Sequence, residues 1–146
     1  MNMDSPVSGV AAQQSSADSF HARTISVSLT VKDLQKSLAW YHDVVGFSID
    51  RKIERDGTLR GVALKAGDVR ITINQDDGAK GWERIKGLGF SLQISTDQNV
   101  DDIARRIKSL GGALDSEPAD MPWGVRMMRL HDPDGFKLSI SKPLGR

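Results

Sequence analysis

From Thr24 onward the chain alternates strictly, with Ile25, Val27, Leu29 and Val31 apolar and Ser26, Ser28, Thr30 and Lys32 polar. A period of two predicts a strand with one buried face. Asp33 follows as an N-cap, Leu34, Leu38, Tyr41 and Val45 recur at helical spacing, and Gly46 offers the left-handed residue that closes a helix. Phe47, Ile49 and Ile53 resume an extended run up to Asp56-Gly57, a hairpin pair, after which Leu59 to Lys65 returns. Beyond the turn at Ala66-Gly67-Asp68, Val69, Ile71 and Ile73 alternate with Arg70, Thr72 and Asn74. The first half therefore reads βαβββ. The polar, glycine-bearing stretch from Asp76 to Gly87 around Trp82 suits a connection.

The second half repeats the first. Val27-Ser28-Leu29-Thr30-Val31 matches Phe90-Ser91-Leu92-Gln93-Ile94 in pattern, 63 residues on. Its helix carries Val100, Ile103, Ala104, Ile107 and Leu110, places Asp101 and Asp102 where the macrodipole favours anions, and ends at Gly111-Gly112. Gly46 precedes Gly111 by 65 residues, and Val69-Arg70-Ile71-Thr72-Ile73 precedes its match Phe136-Lys137-Leu138-Ser139-Ile140 by 67. Three matches in order at nearly constant offset argue for a duplicated unit. Asp132-Pro133-Asp134-Gly135 supplies the turn before the last strand. The expected fold class is α+β: paired βαβββ units forming a curved, cup-like eight-stranded mixed sheet with helices outside. The expected organisation is a flexible tail over residues 1–22, where no apolar period occurs, and one domain over 23–143 whose modules span 23–75 and 88–142.

Composition narrows the function classes. The 146 residues carry 20 Lys+Arg against 19 Asp+Glu, a net charge of +1, which lacks the basic footprint of nucleic-acid binding. With no cysteine, a zinc ribbon, a cysteine nucleophile and a thiol redox centre are excluded, and nothing argues for an oxidising compartment. No apolar run approaches the ~20 residues of a membrane span, so the expected location is cytoplasmic, with neither nucleic acid nor membrane as partner.

The phrases Val31-Lys32-Asp33-Leu34, Ser37-Leu38-Ala39-Trp40-Tyr41 and Val45-Gly46-Phe47, with Asp132-Pro133-Asp134-Gly135-Phe136-Lys137-Leu138 late in the chain, resemble the vicinal oxygen chelate superfamily. That superfamily holds glyoxalases, bleomycin-resistance proteins and ring-cleaving dioxygenases. The resemblance covers about Thr24 to Lys142 and implies two half-cups of sheet with a cavity between them. The superfamily's enzymes hold a divalent metal through four side chains, usually His and Glu. Carried over by position, those places are Ser26, Thr72, Gly89 and Ser139. None is an imidazole or a carboxylate, and neutral hydroxyls do not hold a catalytic divalent ion against water. No metal, cofactor or catalytic residue is therefore expected, and an enzymatic role is disfavoured.

Alternation gives the same picture without the family. If the aliphatic positions face the helices, the opposite face carries Ser26, Ser28, Arg70, Thr72, Asn74, Ser91, Gln93, Lys137 and Ser139 among its members. That face offers hydrogen bonds to a carbonyl, hydroxyl or anion, with Arg70 and Lys137 at corresponding places in the two halves. It has no acid–base pair for catalysis. Trp82 and Trp123 lie in glycine-flanked segments where a ring can close over a cavity, and Arg126 or its counterpart Arg60 is expected at the rim. The expected ligand-binding set is thus Ser26, Ser28, Arg70, Thr72, Asn74, Ser91, Gln93, Trp123, Arg126, Lys137 and Ser139. The function expected is metal-independent binding of a small molecule, an aromatic or amide-rich compound, by a homodimer. The alternative is a lyase, isomerase or dioxygenase of the same superfamily, without a metal or with one displaced onto residues such as His42, Asp50, Glu54 or His131.

Overall fold

A computed structural model describes residues 19–145. Most of the expected tail, residues 1–18, lies outside the described residues. The element order is β1 (Val27–Val31), α1 (Leu34–Leu38) running on into a π-helical segment (Ala39–Val45), β2 (Ser48–Arg55), β3 (Thr58–Ala66) and β4 (Val69–Gln75). The second unit follows with β5 (Leu92–Ser95), α2 (Val100–Ser109), β6 (Ser116–Asp120), β7 (Val125–His131) and β8 (Lys137–Pro143). Eight strands and the βαβββ duplication stand as expected. They form two four-stranded sheets of identical order, β1-β4-β3-β2 and β5-β8-β7-β6. In each, the first strand pairs parallel with the last and the other pairings are antiparallel. Among the described residues β1 and β5 are unpaired sheet edges.

Local chemistry accounts for the element ends. Asp33 accepts from Lys36 N–H and starts α1; Asn99 accepts from Asp102 N–H and starts α2. The first helix widens after Leu38 into π geometry, where the Tyr41 carbonyl accepts from both Gly46 N–H and Phe47 N–H at 3.0 and 2.9 Å. The face this helix buries is Leu34, Ser37, Tyr41 and Val45; Leu38, expected in that stripe, is half-buried, and Ser37 takes its place. At the β2–β3 turn Asp56 and Gly57 both have positive φ, 52° and 74°, as a two-residue hairpin with right-twisting strands requires.

One hydrophobic core joins the two units. Leu29, Val31, Val62, Leu64, Ile71 and Ile73 from the first sheet and Met128, Leu130, Leu138 and Ile140 from the second share it with Tyr41, Val100, Ala104 and Ile107 of the helices. Phe90, expected to face the helices, stays 48 % exposed and instead leans on the buried ring of Phe136, 5.9 Å away. Polar contacts also link the units. Tyr41 donates to the buried Asp132 at 2.8 Å, and Asp132 accepts with its other oxygen from Asp134 N–H and Phe136 N–H, which closes the turn before β8. Asp134 in turn accepts from Lys32 N–H. Lys86, in the connection, reaches Asp76 at 2.8 Å and Asp134 at 3.4 Å, with all three side chains less than a tenth exposed.

Candidate binding site

Because the aliphatic face of each sheet turns to the shared core, the other face of each is left on the outside of the chain. On the first sheet, parallel pairing sets Ser28 beside Thr72 and Thr30 beside Asn74, and the antiparallel neighbour adds Gly61, Ala63 and Lys65. Asn74 donates to Ser28 Oγ at 2.8 Å. Gly61 makes room for it: a Cβ there would stand 2.9 Å from Asn74 Oδ1. Arg70 lies on the same face, exposed, and Ser26 lies exposed just ahead of β1. Lys65 is held by Asp50 at 3.6 Å.

The second sheet carries the matching row. Ser139 of β8 sits between Gln93 of β5 and Arg129 of β7, and Lys137, one step along, sits beside His131. Ser91 is exposed just before β5. Ser139 is only 6 % exposed, and its Oγ has no hydrogen-bond partner. Met127, paired with Ser141 on this same face, is also sheltered, at 7 %. His131 Nδ1 meets Asp115 at 2.8 Å.

The structure thus brings the expected residues together as two sets. Ser28, Arg70, Thr72 and Asn74 share the first sheet's polar face; Gln93, Lys137 and Ser139 share the second's. Trp123 stands 60 % exposed at the tip of the β6–β7 hairpin, in the turn that Gly124 N–H closes on Met121 C=O. Arg126 lies apart. Its strand position is on the side of Met128 and Leu130, facing the helix, where it bonds Asp101 at 2.7 Å and Asp120 at 2.9 Å. These carboxylates hold the guanidinium proton more tightly still, and the hydrogen bond from Arg126 lowers the Asp101 carboxyl below its ordinary range. Arg60 has the same helix-side parity as Val62 and Leu64. The arginine that shares the face with Ser139 is Arg129, a residue the alternation did not single out.

The four positions that bind metal in the superfamily's enzymes hold three hydroxyls and one residue with no side chain, so the donor set does not fit a catalytic ion. Among the described residues, no three His, Asp or Glu side chains are grouped as a metal site would need. Of the displaced ligands considered from sequence, His42 Nδ1 lies 2.6 Å from the Phe47 carbonyl, Asp50 holds Lys65 and His131 meets Asp115.

Among the described residues, concavities mark other surfaces of the chain. One of about 910 Å³ lies between the units and is lined by Phe47, Val69, Ile94, Thr96, Asn99 and Ile103 among others. A second, about 400 Å³, is bordered by Lys32, Lys36, Gln75, Trp82 and Asp134. A third, about 240 Å³, is bordered by Arg126, Asp101 and Lys142. Arg126 is the member of the expected set that borders one of these three.

Comparison with known proteins agrees with the topology. Lactoylglutathione lyase of Salmonella typhimurium is 26% identical over 132 residues, covering 85% of this chain and 96% of that protein. A glyoxylase/bleomycin resistance protein/dioxygenase domain from Frankia sp. EAN1pec superposes with a TM-score of 0.68 at 21% identity, covering 87% of this chain and 96% of that one. TnmS3, an antibiotic binding protein from Streptomyces sp. CB03234, superposes with a TM-score of 0.65 at 22% identity, over 86% of this chain and 99% of that one. With the duplicated βαβββ topology and a family-model match over residues 23–140, the chain belongs to the Glyoxalase/Bleomycin resistance protein/Dioxygenase superfamily.

Proposed function

We propose that this protein binds a small organic molecule, aromatic or amide-rich, without a metal. The observation that carries this reading is the chemistry of the two polar faces: hydroxyls, amides and cations line them, and three hydroxyls and a glycine stand where the superfamily's enzymes place His and Glu. Such groups orient a guest by hydrogen bonds and supply no Lewis acid. A structural neighbour, TnmS3, is an antibiotic binding protein, which supports a binding role on this scaffold.

The cup is made by two copies. Within one chain both polar faces turn away from the common core, and β1 and β5 end their sheets unpaired. A second copy that covers those edges would set the first sheet of one chain opposite the second sheet of the other and enclose the guest. Among the described residues no helix is long and apolar enough to cross a membrane, and the cysteine-free composition suits a cytoplasmic location.

A ligand screen read by tryptophan fluorescence and thermal shift tests the reading. A compound present at 100 times its dissociation constant should add about 2.7 kcal/mol to the stability of the fold. A broad screen with no binder at micromolar strength would refute it. So would stoichiometric zinc, nickel, iron or manganese in protein purified without chelator, together with turnover of lactoylglutathione.

A further inference from the structure

The second sheet's polar face contains a group of atoms that have no partners among the described residues. Ser139 Oγ is buried and accepts or donates no hydrogen bond, although burying a hydroxyl unpaired is costly and native folds seldom keep one. Across the strands it is flanked by Arg129 and Gln93, and along β8 by Lys137. Among the described residues neither Arg129 nor Lys137 has an ion-pair partner, while in the same unit Arg126 is engaged by Asp101 and Asp120, Lys108 by Glu117 and Arg105 by Asp102; Lys142, also without an ion pair, belongs to the other face of β8, opposite Arg126. Asp115, the carboxylate bordering the row, is taken up by His131. What remains is two cations and an amide around a sheltered hydroxyl, beside the apolar Met127. That set complements an oxyanion attached to an apolar body: a guanidinium forks onto two oxygens, an ammonium adds charge, and the hydroxyl donates from below.

We propose that the row Gln93, Ser139 and Arg129 with Lys137 is an oxyanion seat, so that the protein's ligand carries a carboxylate, sulfonate or phosphate group. The seat lies within one chain. The inference deepens the binding reading above and rests on it, since it names the charge of the guest and the residues that hold it.

Calorimetric titration at low salt with four probes of one aromatic body separates the possibilities: 1-naphthoate, 1-naphthalenesulfonate, 1-naphthyl phosphate and the neutral 1-naphthamide. At least one anion should bind about tenfold or more tightly than the amide, as expected for charge-assisted hydrogen bonds, and the preferred anion identifies the head group. Arg129→Gln should abolish that preference and leave the affinity for naphthamide unchanged. Arg105→Gln, which removes one cation from the outer face of α2, should preserve it, and equal melting temperatures confirm that the variants fold. Equal binding of anions and amide, or an anion preference that survives Arg129→Gln, would overturn the seat while leaving the binding cup intact. Failure of all four probes to bind at millimolar concentration would overturn the seat and count against the cup as well.

Discussion

A hydroxyl held out of water without a partner weakens the protein that carries it, and Ser139 is such a hydroxyl. Ser139→Ala should therefore raise the stability of the unliganded protein by about 1 kcal/mol, because the desolvation cost disappears and a methyl group suits the site. Urea denaturation measures it; a lower midpoint in the variant would show that the hydroxyl is satisfied in the fold. Asp132 makes a second residue-level prediction. Burial raises its carboxyl above the usual range, against the hydrogen bonds from Tyr41 O–H and from Phe136 and Asp134 N–H that favour the anion. Because the folded state holds this proton more tightly than the unfolded chain does, the associated stability is complete below the ordinary carboxylate range. It is lost as pH rises through the folded value. Asp132→Asn keeps an acceptor for the two N–H groups and cannot ionise. Its stability relative to the natural protein should thus increase as pH rises above the ordinary carboxylate range near about 4. A difference that stays constant with pH would refute the assignment. Asp76 behaves in the opposite sense: the hydrogen bond from Lys86 and that from Gly78 N–H bring its carboxyl down to about 2, so its contribution is lost only as strong acid protonates it. At this scale the sequence was readable where alternation is clean and ambiguous where it is not. Val125-Arg126-Met127-Met128-Arg129 puts an arginine and a methionine on both parities, so nothing local pointed to Arg129, and the rim arginine was sought at Arg126 or Arg60. The buried Met128 and Leu130 settle the parity by turning Arg129 to the open face.

The elements are positioned by a few backbone approaches that admit no side chain. Gly87 has φ +81°, and a Cβ on it would stand 2.7 Å from the Gly135 carbonyl, a backbone atom of the turn before β8. Gly67, in the β3–β4 turn, has φ +59° and open space around it. Gly87→Ala should cost at least ~2 kcal/mol and loosen the turn, while Gly67→Ala should cost only the ~1 kcal/mol of left-handed backbone. Comparable losses in the two variants, measured by denaturation, would mean that the connection does not press on the second unit. Element type was legible in the period-two strands and in the Asp33 cap, whereas β6, Ser116–Asp120, carries no clean alternation and the Asn99 cap was not singled out. Element shape was less so. The π-helical widening at Ala39–Val45 left no mark in the hydrophobic spacing, because a buried stripe at Leu34, Ser37, Tyr41 and Val45 also suits a regular helix. β5 is shorter than the alternation of Phe90 to Ile94 suggests, since Phe90 meets Phe136 from outside the sheet.

For the whole molecule, three exposed apolar side chains stand just ahead of the two edge strands that the proposed second copy would cover. Ile25 precedes β1 at 88 % exposure, and Leu88 and Phe90 precede β5 at 71 and 48 %. Both strands are free edges, which soluble proteins usually protect. Light scattering should therefore give twice the mass of one chain at tens of micromolar, and Ile25→Glu should shift the protein toward a folded monomer. A natural protein that is monomeric at that concentration would rule out the two-copy cup. Hydrophobic periodicity and the near-constant repeat offset already determined the two βαβββ units, their turns and the polar composition of one face of each sheet, because these depend on neighbours along the chain. The sharing of one core by both units, the outward direction of both polar faces, the ion-paired joint of Lys86 with Asp76 and Asp134, and the unpaired Ser139 beneath Arg129 were decided by packing. Each of these is a relation between segments tens of residues apart, and a one-dimensional pattern records which face a residue occupies but not what that face meets.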